Sequence, residues 1–463
     1  MSAVTGILVI GGGLAGLSAL TSAAESGASG VLLERTASLG GSTVLSSGLM
    51  AFAGTDEQAS AGIEDDVERL RHDLLETGRF RNDESLVDEY CAKQLDTYSW
   101  LKALGVQFGV AHAGSGQAVP RSHPVDTASV IDTLGRHARV LGAEIRCNVR
   151  VRRLLVEGEQ VVGVRAEIGD DEVDVRAGAV VLASGGFTQS EELLERFAPA
   201  MEHALRAGGA GNTGDGLLMA AKVGAGLADM AFVKGTFGIF PWRSAAEEGT
   251  GILAVYKGAI AVNGYGERFI NESLPYKVMG DACLAQPEAL AFQIFDENVL
   301  VQSDASVPIY NFRRRLEAGQ VRRADTLEEL AEQLGIPADA LCSTVTGYNQ
   351  RLRDGAPDAL GRTTLCGGVG KPTPLDTPPY YGFPSTTVVL ATYCGVRVDN
   401  ETRVLDVFGT VIPGLYAAGE VTGGFHGDGY VTGSSLGKSA VFGRIAGRRA
   451  TAFALGSLTS VAR

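Results

Sequence analysis

Gly6-Ile7-Leu8-Val9-Ile10-Gly11-Gly12-Gly13-Leu14-Ala15-Gly16, then an alanine-rich run, then Val31-Leu32-Leu33-Glu34: this stretch decides how the rest of the chain is read. The apolar residues 7–10 predict a strand, the glycines a turn, and the alanine-rich run a helix. In such a unit Gly11 makes the tight turn, Gly13 lets a diphosphate approach the backbone, and Gly16 lets helix and strand pack closely. The diphosphate then sits on the helix N-terminus, where unpaired amides and the helix dipole favour an anion. Glu34 ends the second strand eighteen residues after Gly16, the place for a carboxylate that binds a ribose hydroxyl. A dinucleotide is expected here.

The second strand runs directly into Arg35-Thr36-Ala37-Ser38-Leu39-Gly40-Gly41-Ser42-Thr43. This Glu-Arg…Gly-Gly-Ser run resembles the segment that flavoproteins lay along the diphosphate and ring of FAD, so FAD is expected rather than NAD. No histidine or cysteine lies between Glu34 and Ser60 to form a covalent link there, and the FAD is expected to be non-covalent. Gly209, Gly211 and Gly214 repeat the spacing, but no apolar strand leads in and no acid ends a following strand. They read as a wall that lets backbone approach the isoalloxazine, with Asp215-Gly216 opening a helix over 217–224. No second nicotinamide site is visible, which weakens a reading as a pyridine-nucleotide disulfide reductase or NADPH-fed monooxygenase.

With 463 residues, 45% of them hydrophobic, the chain has material for two or more domains and a large core. Its net charge of −14 disfavours nucleic acid and anionic membrane as partners, because counterion release needs a basic face. Cysteines 91, 147, 283, 342, 366 and 394 form no C-x-x-C and no cluster with histidine, so neither a metal site nor a dithiol pair is indicated. No apolar run approaches the ~18 residues of a spanning helix. The first strand begins almost at once after Met1, leaving no room for a signal region. A cytoplasmic location is the expectation.

Helical periodicity with many charges covers residues 65–104, read as solvated helices. Arg121-Ser122-His123-Pro124 reads as a polar surface turn, with His123 not catalytic. Strand patterns follow over 144–148, 149–156, 161–166, 173–176 and 179–183, with turns at Gly158 and Gly169. They predict a small β-meander and a return to the parallel sheet at Ser184-Gly185-Gly186-Phe187. Residues 232–378 interrupt the nucleotide-binding pattern, carry helices over 326–334 and 342–353, and end in a proline-rich connection. The expected fold is α/β: a Rossmann-like FAD-binding domain (1–231 and 379–463) with a parallel sheet and small meander, and an inserted α+β cap (232–378). Strands over 387–390 and 396–398 and a last helix over 439–450 complete it.

The chain as a whole resembles the flavoprotein family that includes soluble fumarate reductases and 3-ketosteroid Δ1-dehydrogenases. The carrying residues are Gly11 to Gly16, Gly40-Gly41-Ser42, Gly266-Glu267-Arg268-Phe269-Ile270-Asn271-Glu272 and Gly414-Leu415-Tyr416-Ala417-Ala418-Gly419-Glu420-Val421-Thr422-Gly423-Gly424. The resemblance implies FAD and redox chemistry at a C–C bond beside an electron-withdrawing group. It implies a cofactor site at Gly11, Gly13, Leu14, Ala15, Gly16, Glu34, Arg35, Gly40, Gly41, Ser42 and Val151 on the adenosine and diphosphate side. Toward the ring it implies Ser184, Gly185, Gly186, Asn212, Thr213, Asp215, Gly419, Glu420, Ser434, Ser435 and Leu436. Glu420 is expected to hold the ribityl chain, and a helix starting near Gly437 to point its N-terminus at the ring.

Substrate turns on residues that vary within the family. Fumarate reductases are similar in having an arginine five residues after the cap asparagine; counted from Asn271, that place holds Tyr276. Their histidine pair and second arginine, which grip carboxylates, align with Leu390-Ala391 and Tyr430. Burying an unpaired carboxylate is expensive, so fumarate is disfavoured. Asn271 to Tyr276 instead looks like the tyrosine-bearing cap segment of the ketosteroid dehydrogenases, and Tyr430 falls near their carbonyl-binding tyrosine. The loop after Tyr430 is one residue shorter than theirs, which leaves the backbone donor open between Gly433 and Ser434.

The resulting expectation is a dehydrogenase that desaturates a cyclic ketone, either a 3-ketosteroid or a smaller cyclohexanone-type ring. Tyr430 and the backbone donor stabilise the enolate. Tyr276 takes the α-proton, and flavin N5 receives hydride from the β-carbon. An ordinary tyrosine pKa of about 10 makes a poor base at neutral pH, so a supporting group is needed. Lys277 is expected to point elsewhere, Tyr393 to wall the pocket, and His426 to serve structural hydrogen bonding. The rival is an ene-reductase of an enone or unsaturated acid, anchored by Arg121 or Arg243; a non-catalytic flavin redox sensor is the lesser rival. The electron acceptor is left among oxygen, a quinone and a carrier protein.

Overall fold

The computed structural model describes residues 5–242 and 251–461. Arg243, one of the two anchors considered for the rival reading, lies outside the described residues. The apolar run becomes the strand Thr5–Ile10 at the centre of a parallel sheet, flanked by Gly30–Leu33 on one side and Asp171–Leu182 on the other. Glu144–Arg146 extends the sheet past Gly30–Leu33, and Val411–Ala417 extends it past Asp171–Leu182. Residues 7–9 and Leu182 are fully buried, as befits strands covered on both faces.

The expected meander is Val149–Glu157 and Gln160–Ile168, antiparallel to each other and joined to Asp171–Leu182. That last strand runs without a break where the sequence suggested two. The helix Leu14–Glu25 packs on the sheet, and the C-terminal helix Ser434–Val461 lies across it. It starts five residues earlier than the pattern implied. Two glycines one turn apart make the contact possible: a Cβ on Gly443 would come 2.4 Å from the Ala15 carbonyl oxygen, and one on Gly447 2.1 Å from that of Ala19.

A second sheet lies in the cap. Ile260–Asn263, Ala291–Asp296, Tyr380–Val389 and Thr236–Ile239 are its successive strands, with Arg322–Ala324 and Leu205–Arg206 also paired to Tyr380–Val389. Tyr380–Val389 thus lies beyond position 378 yet bonds to strands from the 232–378 block. The apolar core accordingly divides in two, one part around the parallel sheet and one in the cap. Among the described residues no helix is long and apolar enough to cross a membrane.

Arg121-Ser122-His123-Pro124 is not a surface turn. Ser122–Pro124 pairs with Leu49–Ala51, and Arg121, Ser122 and His123 are completely buried. Arg121 is held by Asp65 at 2.8 Å and Asp73 at 2.5 Å, both buried with it. His123 contacts the Thr55 hydroxyl at 2.7 Å and the Met50 carbonyl at 3.2 Å. With its charge consumed internally, Arg121 is no substrate anchor.

Candidate active site

A cavity of about 750 Å³ runs from the turn after the first strand to the seam between the two sheets. At its far end the N-cap Gly13 supplies no side-chain cap to the first helix and Thr43 takes only the Leu14 amide, so among the described residues the Gly13 and Ala15 amides remain open to an anion. Gly16 stays behind the wall: a Cβ on it would lie 1.9 Å from the Gly11 carbonyl oxygen, the close helix–strand contact its position demands. Glu34 accepts from the Gly12 amide at 2.8 Å and from the Thr36 amide and hydroxyl, each at 2.8 Å. These bonds fix the carboxylate at the cavity edge with lone pairs left for a ribose. Gly41, at φ +49°, has no heavy atom within 4 Å of where a Cβ would point. An uncapped glycine turn, an oriented carboxylate and a bare glycine ledge fit the adenosine diphosphate half of FAD.

Of the remaining expected cofactor residues, Gly11, Leu14, Ala15, Arg35, Ser42, Val151, Ser184, Gly185, Asn212, Asp215, Glu420, Ser435 and Leu436 line the cavity. Gly40, Gly186, Thr213, Gly419 and Ser434 do not. Gly186 is packed behind Glu420, Gly419 against Ala15, and the Thr213 hydroxyl is taken by Arg35 at 2.5 Å. Of the glycines read as a wall toward the isoalloxazine, Gly209 and Gly211 line the cavity, a Cβ on Gly209 coming 2.7 Å from the Gly41 backbone, whereas Gly214 is the N-cap of the helix Asp215–Lys222 and packs against Leu193. Glu420 accepts from the Asn212 side chain at 2.8 Å and the Thr392 amide at 3.0 Å, and Asn212 also reaches the Ser42 hydroxyl at 3.1 Å. Removal from water raises the Glu420 carboxyl above its ordinary value, partly offset by these donors. Thr43, whose hydroxyl takes the Leu14 amide at 3.1 Å, was not singled out from the sequence, although it follows the Gly-Gly-Ser run directly.

The near end holds the tyrosines. Tyr276 opens the helix Tyr276–Leu284, entered through Pro275, and Tyr430 sits four residues before the C-terminal helix. Their ring centres are 6.1 Å apart, and Tyr393 lies 4.8 Å from Tyr430. All three line the cavity, as do Leu390 and Ala391. The Tyr430 hydroxyl accepts the Gly433 amide at 3.2 Å. The Ser434 amide and hydroxyl both go to the Val431 carbonyl, at 3.0 and 2.7 Å, so of the two expected backbone donors the Ser434 amide is committed to the turn and the Gly433 amide to Tyr430. Burial raises the Tyr276 hydroxyl well above its ordinary value, against a small lowering by Thr432. Tyr430 is raised for the same reason, opposed by the Gly433 and Ser435 amides and by Tyr276.

Lys277 does not point elsewhere. It is buried, and its ammonium group lies 4.6 Å from the Tyr393 ring centre, 5.7 Å from that of Tyr430 and 5.8 Å from that of Tyr276. It donates to the Thr236 hydroxyl at 2.7 Å and the Lys234 carbonyl at 3.2 Å. Desolvation lowers its pKa to about 7, against the pull of Asp281 and Glu420. A sequence signal existed: Gly280 and Asp281 stand three and four residues on, marking a helical face with room and a counter-charge. His426 packs edge-on to Tyr393 with centres 4.9 Å apart and, among the described residues, its ring has no hydrogen-bond partner. Burial, with Lys438 and Lys277 nearby, keeps it neutral.

Residues 6–436 match the family described as FAD binding domain. A probable fumarate reductase of Shewanella frigidimarina (strain NCIMB 400) is 33% identical over 431 residues, 91% of this chain and 70% of that protein. A urocanate reductase of Eggerthella lenta is 31% identical over 89% of this chain and 69% of its own length. Among solved structures, 3-ketosteroid-Δ4-(5α)-dehydrogenase from Rhodococcus jostii RHA1, in complex with 4-androstene-3,17-dione, superposes with a TM-score of 0.77 at 29% identity, covering 96% of each chain.

Proposed function

We propose, from the premise that this chain belongs to the FAD-binding flavoprotein family, that its oxidoreductase chemistry at a CH–CH bond is the α,β-desaturation of a neutral cyclic ketone. The observation that carries the reading is the pair of tyrosines, Tyr276 and Tyr430, facing one cavity beside the uncharged Leu390 and Ala391. These four groups suit a neutral carbonyl and themselves give a dicarboxylate no counter-charge, while the cations of the same cavity wall include Arg314 and Arg315. The solved ketosteroid dehydrogenase, with a neutral dione bound, supports the same substrate class.

FAD, when bound, supplies the hydride acceptor. Gly13 to Ala15 would hold its diphosphate, Glu34 a ribose, and Ser42, Asn212 and Glu420 its ribityl chain. Tyr430 donates its hydroxyl proton to the ketone oxygen. The Gly433 amide, bonded to that hydroxyl oxygen, polarises the O–H and strengthens the donation. The carbonyl is thereby held where enolate charge develops. Tyr276, as phenolate, removes the α-proton, and the β-hydrogen leaves with its electron pair. Tyr393 and the apolar strands of the cap exclude water from the ring.

A second reading, reduction of an activated alkene, has its own support in the names of the relatives that are 31–33% identical, fumarate and urocanate reductases. One experiment separates the two. The oxidised protein is mixed anaerobically with ketones from cyclohexanones to 3-ketosteroids, and the flavin absorbance is followed. Bleaching by a saturated ketone, lost in Tyr276→Phe with FAD retained, is the expected result. Reoxidation of the chemically reduced protein by unsaturated acids, with no bleaching by any ketone, overturns the reading in favour of the reductase.

A further inference from the structure

We propose that Lys277 is the positioning residue that sets the ionisation of the active-site tyrosines, taking up the proton that Tyr276 must lose before it can act as base. The proposal rests on the ketone-desaturase reading, which requires a tyrosine phenolate in a buried site.

Three observations converge. Lys277 follows Tyr276 on the same helix, and its ammonium group lies between 4.6 and 5.8 Å from three tyrosine ring centres. It is only 2% exposed, so its charge is little screened. Its two hydrogen-bond acceptors, the Thr236 hydroxyl and the Lys234 carbonyl, are neutral, so no carboxylate quenches the charge by direct contact. Alone, an ammonium or a phenolate at this depth is penalised, and burial does push Lys277 down to about 7 and Tyr276 up. Formed together by transfer of one proton from Tyr276 oxygen to Lys277 nitrogen, they leave the net charge unchanged and each supplies the other's counter-charge. Lys277 then returns a proton toward solvent. On that side Lys234 pairs with Asp281 at 2.9 Å and Asp428 at 3.4 Å, and Asp428 reaches the exposed Arg79 at 3.2 Å.

The charged and titratable groups facing Lys277 are few. Asp281 on its own helix and Glu420 from the flavin side favour its protonation. His426 is neutral, and Lys438 is turned to the Thr422 carbonyl at 2.7 Å. Tyr276, Tyr393 and Tyr430 complete the set.

The test uses the FAD-loaded protein and two readouts, the pH profile of flavin reduction by a bleaching ketone and the ultraviolet titration of tyrosinate. In Lys277→Met the acidic limb, on which activity rises as Tyr276 ionises, moves up by about one to two pH units, so the rate at pH 7 falls about 10- to 100-fold. The first tyrosine also ionises at higher pH. Lys277→Arg, with a permanent cation, restores tyrosinate formation at low pH. Thr236→Val, which keeps the lysine and removes its anchor, shifts the limb in the same direction by less, and serves if Lys277→Met fails to fold. An unchanged pH profile and tyrosinate titration in a folded, flavin-loaded Lys277→Met or Thr236→Val overturns the proposal. If no ketone bleaches the wild-type flavin, it is the desaturase reading that fails, while the tyrosinate titration still reads the Lys277 effect.

Discussion

Tyr430→Phe separates what this hydroxyl does for the fold from what it does for the reaction. In the fold its oxygen accepts the Gly433 amide at 3.2 Å, with the Ser435 amide also turned toward it. Losing a bond of that length at a half-buried site costs about 1 kcal/mol, a fall of about 2 °C or less in Tm for a chain of this size. In the reaction the same hydroxyl is a donor to the carbonyl on which enolate charge accumulates, and removing one such donor costs about 10²- to 10³-fold in rate. The Ser434 amide does not take its place, because it is committed to Val431. Single-turnover flavin reduction under anaerobic conditions measures the rate, and the visible flavin spectrum measures cofactor retention. A slow, flavin-replete, nearly wild-type-stable protein is expected. A reduction rate within about threefold of wild type, under 1 kcal/mol, would refute the assignment of Tyr430 to the carbonyl.

Arg121→Met leaves two buried carboxylates unpaired, and a loss of about 3–5 kcal/mol in denaturant unfolding is expected. Its substrate preference is expected to stay unchanged, and a selective loss of acid substrates would reinstate it as an anchor. Gly447→Ala forces a methyl toward the Ala19 carbonyl; destabilisation of about 1–3 kcal/mol with weakened FAD retention is expected by thermal melting and flavin release. For pH, the Lys277 pKa of about 7 in the fold is below its ordinary 10.5, so between those values the unfolded chain binds more protons and stability rises with pH. From pH 7 to 9 this amounts to about 2 kcal/mol in a melting series, absent from Lys277→Met, and a wild-type curve that falls over this range contradicts it.

The dinucleotide turn was legible because its determinants are local: an apolar strand, glycines at fixed offsets and a terminal acid all lie within 34 residues. Tyr276 and Tyr430 were placed by position within a resemblance, and the cavity does hold both. What failed depended on distant partners. Arg121 looked like surface because its polarity was visible and its acids, 56 and 48 residues away, were not. Lys277 looked outward because a lysine is rarely buried, and its acceptors Thr236 and Lys234 come from a strand and its lead-in, 41 and 43 residues earlier. Ser434 could not be distinguished from Gly433 until the turn through Val431 was seen.

The glycine contact between Leu14–Glu25 and Ser434–Val461 bears on biosynthesis. The diphosphate turn leaves the ribosome before the helix that covers its first helix, and whose N-terminus borders the ring end of the cavity, which is made more than four hundred residues later. Until then the alanine-rich face of the first helix has no partner, and such sequence-distant closure is slow. Flavin capture therefore reports synthesis through Ser434–Val461, and a product stalled or clipped before that helix is expected to emerge colourless and in need of chaperone shelter.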